Sequence, residues 1–177
     1  MENWTNRTEL LIGPEKLRLL NDAHVLVAGL GGVGAYVVDA IDTLSPKVFL
    51  VYECIKQGLK VVSSMGAGGK TNPELVQIAD ISGSHSCRLA RYMRKRLQKL
   101  GVRTGFKVVF SPEPIATGSM IKTENEQNKK SMVGTISYMP AIFGCMCASV
   151  VIRDIVHANS LSDSIRTNFV SFESLRE

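Results

Sequence analysis

Several features are missing from this chain, and each absence narrows the field. Its four cysteines, Cys54, Cys87, Cys145 and Cys147, include no C-x-x-C pair, which sets aside zinc knuckles and redox dithiols. No signal peptide is legible at the start, because Glu2, Arg7 and Glu9 interrupt any apolar run. Together these lead to the expectation of a reduced, cytoplasmic protein with free thiols. No internal repeat or low-complexity tract is visible, which argues against solenoids and disordered tails over most of the length. Two further absences are local: acids from Arg88 to Lys107, and any charge from Met132 to Ile152.

What is present is ordinary globular material. The chain has 177 residues, 45% of them hydrophobic and 21% charged, enough for one packed domain. We expect that domain over residues 1–159, with 160–177 a loosely held tail. The net charge of +5 mildly favours an acidic partner. The uncharged stretch 132–152 has the length and basic flanks of a membrane span. Pro140, Gly134 and Gly144 break it, so the reading is a strand or loop (TISYM) followed by a short helix after Pro140. That helix would be buried in the core or a subunit interface, with peripheral membrane contact as the alternative.

Along the chain, TELLIGPEKLRLL reads as a turn at Gly13-Pro14 and then a helix closed by Asn21-Asp22. AHVLVAG reads as a buried strand. It runs into Gly29, Gly31 and Gly34, a G-x-G-x-x-G loop after a strand, the opening of a nucleotide-binding β-α-β unit. Such glycines let the backbone approach phosphates.

From Ala35 two readings stay open. In one, AYVVDAIDTL is the helix the loop requires and KVFLVYE the second strand. Glu53 would then sit where a dinucleotide enzyme's ribose-binding acid belongs, making the protein an oxidoreductase. In the other, YVVDAI is a strand and the helix follows, with Ser45 as N-cap, Pro46 at the first helical position and Gly58 at the C-terminal cap. Its apolar stripe is Val48, Val51, Tyr52 and Ile55, and LKVVSS is the next strand. Parallel strands need a crossover of about a dozen residues or more, and Gly34 to Tyr36 supplies almost none.

Farther on, GAGGK (66–70) reads as a flexible loop, VQIADI and FKVVFS as strands, and GSMIKTENEQNKKS as a polar loop. RLARYMRKRLQKLG reads as an amphipathic helix with a Leu89, Met93, Leu97 and Leu100 stripe, ended by Gly101.

The order WTNRTELLIG, HVLVAGLGGVG, YVVDAIDTLSPK, VVSSMGAGGK, DIS…CRL, a basic helix and KVVFSPE resembles the tRNA threonylcarbamoyladenosine dehydratases. These are a branch of the adenylating superfamily that includes the ubiquitin-activating enzymes and the molybdopterin and thiamine adenylyltransferases. The resemblance implies an α/β fold with a Rossmann-like, mostly parallel sheet flanked by helices. It also implies ATP and magnesium as cofactors, a tRNA substrate and a homodimer. In such enzymes a carboxylate is activated as an acyl-adenylate and closes a ring with net dehydration.

By the same resemblance, Gly29, Gly31, Gly32 and Gly34 cradle the phosphates and Asp42 helps hold magnesium, a hard cation suited to oxygen ligands. Arg7 reaches the triphosphate of the other subunit, its planar fork matched to phosphate. The resemblance also implies a gap. The first crossover helix, the second strand, an Asn-Arg-Gln stretch and an ATP-contacting lysine are absent after Ala35, so part of the first crossover is missing. Lacking those cations, this chain is expected to bind ATP weakly and to adenylate slowly or not at all.

Two surfaces complete the reading. Arg88, Arg91, Arg94, Lys95, Arg96 and Lys99, with Arg103 beyond them, form a basic helix suited to a tRNA backbone. Cys87 beside His85 is a candidate nucleophilic thiolate, with an inert loop as the alternative.

Overall fold

The computed structural model describes residues 5–28, 39–41, 43–115, 120–122 and 131–157. They fall into two compact units: residues up to Asp22 together with those from Arg153, and Ala23–Ile152.

In the smaller unit α1 (Asn6–Ile12) and α2 (Pro14–Asp22) pack together. The expected turn is at Gly13, whose φ of 87° is open to glycine without strain. Pro14 opens α2, where its missing N–H costs nothing. The sequence reading has no helix before the turn, whereas α2 ends at Asp22, as the Asn21-Asp22 stop predicts.

The larger unit is a three-layer α/β structure. Its strands are β1 (Val62–Ser64), β2 (Gln77–Asp80) and β3 (Lys107–Phe110), in the order β1-β3-β2. β1 runs parallel to β3, with Val62 opposite Lys107, and β2 runs antiparallel to β3, with Asp80 opposite Lys107. Beyond β1 the sheet continues through single parallel bridges, Asp39 to Ser63 and Ala28 to Asp39.

Alternation along β3 builds the two cores. Val108 and Phe110 face one side, with Val48 and Val51 of α3 (Leu44–Lys56) and Ala90, Met93 and Leu97 of α4 (Arg88–Lys99). Val109 faces the other, with Met139, Phe143, Cys147 and Val150 of α5 (Tyr138–His157). A period of two on the strand and of three to four on the helices is what this packing requires. A two-stranded antiparallel hairpin, β4 (Met120–Lys122) with β5 (Ser131–Val133), stands apart from the sheet.

Five expectations are corrected. Residues 23–27 of AHVLVAG form no strand, and Val25, Leu26 and Val27 are 48%, 54% and 39% exposed; only Ala28 pairs. An apolar run becomes a buried strand only if neighbours pair with it and cover it, and here they do neither. KVFLVYE is helical, so Glu53 lies within α3 and not at a strand end, which removes the dinucleotide oxidoreductase reading. α3 begins earlier than Ser45-Pro46: Thr43 occupies the N-cap and both residues fall inside the first turn. The polar loop 118–131 contains the hairpin strand β4 and the first residue of β5. Finally, the last helix starts before Pro140, not after it, and spans 20 residues. Proline is tolerated there because first-turn N–H groups have no intrahelical partner. This helix is long and apolar enough to cross a bilayer, yet its Met139, Phe143 and Cys147 are wholly buried against the sheet.

Other elements match. Gly58 (φ 71°) ends α3 and Gly101 (φ 85°) ends α4, both in the left-handed region that favours glycine. Met93 and Leu97 are buried, Leu89 is half-buried, and Leu100 is exposed at the helix end. The tail after Asn159 lies outside the described residues.

Candidate functional site

The sheet edge where parallel strands end is where α/β folds bind ligands, and here three segments arrive at it side by side. Ala28 and Asp39 are bridged in parallel, with the Ala40 N–H donating to the Ala28 carbonyl at 2.7 Å. Asp39 pairs on its other side with Ser63 of β1, and its carbonyl accepts from the Ser64 N–H at 2.9 Å. The chain therefore leaves Ala28, Asp39 and β1 in one direction. Only residues 29–38 separate Ala28 from Asp39, less than a helical crossover requires.

Asp39 is completely buried and fully engaged. Its Oδ2 accepts from the Ser63 hydroxyl at 2.6 Å and lies 3.0 Å from the Lys47 ammonium; its Oδ1 accepts from the Ile41 N–H at 3.2 Å. Lys47, in the first turns of α3 and equally buried, also donates to the Ile41 carbonyl at 3.2 Å. A buried charge is tolerated only when it is paired and hydrogen-bonded, and this arrangement satisfies both ions. It ties residues 39–41 to β1 on one side and to α3 on the other. Cys147 of α5 faces the same pair: burial pushes its thiol up to about 12, Lys47 opposing and Asp39 adding to the shift. Sequence reasoning missed Lys47, although a lysine one residue past Pro46 in an apolar helix was the available signal.

A second junction joins the loops after β1 and β3. Lys70 is buried and donates to the Glu113 carbonyl. The Glu113 carboxylate accepts from the Thr71 and Asn72 N–H groups at 3.0 Å and from the Thr71 hydroxyl at 2.9 Å. Gly69 donates to the Gly134 carbonyl at 2.7 Å, and the Tyr138 hydroxyl to the Thr71 carbonyl at 2.7 Å. The GAGGK segment, expected to be a flexible loop, is tied on both sides. Burial lowers the Lys70 amine, against the raising influence of Cys87 and Glu113. Glu113 is held below the usual carboxylate range: burial raises it, but the Asn72 and Thr71 hydrogen bonds and the Lys70 charge together outweigh that.

The candidate residues are distributed unevenly. Gly29, Gly31, Gly32, Gly34 and Asp42 lie outside the described residues, though the neighbours Ala28, Ile41 and Thr43 are described. Arg7 is exposed on α1, in the smaller unit. Cys87 is buried in the core at the start of α4, whereas His85 is exposed, its ring edge-on to Phe110 at 5.3 Å. That is packing for Cys87 rather than presentation of a thiolate. Of the basic residues on α4, Arg88, Arg91, Lys95, Arg96 and Lys99 are exposed and Arg94 is half-buried. Arg94 turns inward to the Ser84 carbonyl at 2.6 Å and to its hydroxyl, and Arg96 donates to the Ser45 hydroxyl at 2.6 Å.

Against known proteins, the ThiF family model matches residues 35–177. The chain belongs to the ThiF family. It is 36% identical over 128 residues to tRNA threonylcarbamoyladenosine dehydratase of Bacillus subtilis, covering 68% of this chain and 50% of that protein. It is 29% identical over 157 residues to tRNA threonylcarbamoyladenosine dehydratase 2 of Saccharomyces cerevisiae, covering 79% and 35%. The chain thus spans about half or less of the length of the curated relatives it matches. Among solved structures, the Escherichia coli tRNA N6-threonylcarbamoyladenosine dehydratase in complex with ATP superposes with a TM-score of 0.77 at 20% identity. That match covers 92% of this chain and 99% of that one. The same enzyme in complex with AMP gives 0.74, also at 20%. The Rossmann-like fold of this ThiF family member is therefore shared with the dehydratases.

Proposed function

We propose that this ThiF family chain is an ATP-binding tRNA threonylcarbamoyladenosine dehydratase homologue of reduced competence. The observation that carries the reading is the parallel pairing of Ala28 with Asp39. The glycine loop begins one residue after Ala28, and Asp42 stands three residues after Asp39, a distance the chain can stretch to at most about 11 Å. Both segments thus leave the same sheet edge from adjacent positions, which supports a phosphate cradle (Gly29, Gly31, Gly32, Gly34) sharing a cation with Asp42. A backbone loop at a helix or strand end suits phosphate, and a carboxylate suits magnesium. When bound, ATP with magnesium would supply the activated phosphate that turns a carboxylate into an acyl-adenylate.

This chain's own residues hold the geometry. Asp39, Ser63 and Lys47 fix the segment entering position 42 and the first turns of the helix that follows. Arg7 would act across a homodimer. The substrate is a tRNA, and the site of action cytoplasmic. The shortened first crossover carries none of the cations that would neutralise developing charge, so turnover falls well below that of a full-length relative.

The test is thermal protection of the whole chain by ATP with magnesium, compared with NAD, together with ATP–pyrophosphate exchange. ATP should raise the melting temperature and NAD should not, with exchange weak or absent. The Asp42→Asn chain should lose the magnesium-dependent part of the protection. Protection by NAD alone would overturn the reading. No exchange combined with salt-sensitive tRNA binding would make the protein a non-enzymatic tRNA-binding remnant.

A further inference from the structure

The first turn of α4 carries no acid and its N-cap residue, Cys87, makes no side-chain cap; the last turn carries Arg96 and Lys99. Arg88 and Arg91 stand where the helix dipole favours Asp or Glu. From Arg88 to Lys107 not one carboxylate intervenes. A helix selected for its own stability would interleave opposite charges at i, i+4 spacing. This one accumulates repulsion that an external polyanion would relieve.

Among these cations Arg94 is half-buried and turned to the Ser84 carbonyl, and Arg96, although exposed, donates to the Ser45 hydroxyl. Arg88, Arg91, Lys95 and Lys99 are exposed, and at 100° per residue they centre directly opposite the buried Ala90, Met93 and Leu97. At 1.5 Å per residue the stripe runs for about 16 Å, the reach of several phosphates. Within it, 49% exposed, is Tyr92. About half of this large aromatic ring is left in water among cations. Base stacking is the use that combines both features.

We propose that the solvent face of α4 is a docking surface for unpaired RNA, with Arg91, Lys95 and Lys99 taking phosphates and Tyr92 stacking on an unstacked base. Duplex RNA satisfies the charges but offers no free base face to the ring. The proposal rests on the reading of a tRNA substrate, and it needs neither ATP nor adenylation.

Fluorescence anisotropy on the whole chain tests it, with a labelled RNA hairpin bearing an open loop, a blunt RNA duplex of equal charge, and vesicles of phosphatidylserine and phosphatidylcholine. The hairpin should bind more tightly than the duplex. Tyr92→Ala should weaken hairpin binding roughly 5- to 150-fold, the worth of one stacked base. Tyr92→Phe should restore it, and duplex binding should not change. The Lys95→Gln/Lys99→Gln chain should bind both RNAs more weakly and flatten the dependence of log affinity on log salt by about 1.4–1.8. Because these positions are exposed, melting temperatures should stay near wild type, which separates lost binding from lost fold.

Equal binding by the Tyr92→Ala chain removes the stacking role. An unchanged salt slope removes the phosphate stripe, and vesicle binding without hairpin binding makes the face a lipid surface instead; each result overturns the proposal. Hairpin binding as described with no ATP protection would sink the nucleotide reading and leave this one standing.

Discussion

Asp39 and Lys47 are both taken out of water, and an ion pair in that position is stable only while both members are present. Removing one leaves the other buried and unpaired. Lys47→Met or Asp39→Asn should therefore destabilise the fold by about 3–5 kcal/mol, read from urea melts. The double substitution should cost clearly less than the sum of the two. Cys147 makes a second residue-level test. With its thiol wholly buried and pushed up to about 12, it should resist iodoacetamide in the folded chain, while the exposed Cys145 is alkylated; mass mapping reads both. Asp80 supplies the pH dependence. Burial raises its pKa, but hydrogen bonds from Ser82, Gly105 and Thr104 outweigh this and hold it at about 2, against an ordinary 3.8. A depressed acid contributes stability above its unfolded value and loses it as pH falls through the folded one. The Asp80→Asn chain should therefore be less stable at neutral pH and show a flatter loss between about pH 4 and pH 2 in pH-resolved melts. Of these residues only Cys147 was visible beforehand, and only as a free thiol, because burial and partnership are properties of the surroundings.

At the scale of elements, legibility followed the length of the periodic signal. α4 could be read because three turns repeat their apolar positions and Gly101 stops them; Leu97→Ala, in its wholly packed stripe, should cost about 2–5 kcal/mol. β1, β2 and β3 were visible as short apolar runs between turn residues. β4 and β5 were not, since three-residue strands in a polar stretch carry no alternation and exist through pairing with each other. The β1 loop shows the same limit. Glycines suggested looseness, but Gly69 has φ 71° and a Cβ there would come within 2.9 Å of Ile115. Gly69→Ala should therefore cost roughly 1–3 kcal/mol, measured by thermal melting, although the residue lies in a loop. α5 shows what composition alone leaves open: a core helix and a membrane span share their residues, and packing of Met139, Phe143 and Cys147 on the sheet distinguishes the use made of them.

For the whole molecule, one apolar stretch is left in water. Val25, Leu26 and Val27 are exposed beside Ala28, and exposed apolar surface favours association. Leu26→Lys should reduce dye binding and self-association in light scattering while changing the melting temperature little. The sequence by itself determined the order of strands and helix from β1 to β3, the helix end at Gly101, the glycine motif and the charge asymmetry of α4. These follow from covalent geometry and from periods of 3.6 and 2 within a single segment. Only tertiary structure decided that Glu53 belongs to a helix, that Ala28 pairs with Asp39, that Lys47 is buried, and which cations of α4 face water. Each of those depends on what lies across a gap in space rather than along the chain, and no local period encodes a neighbour that is distant in sequence.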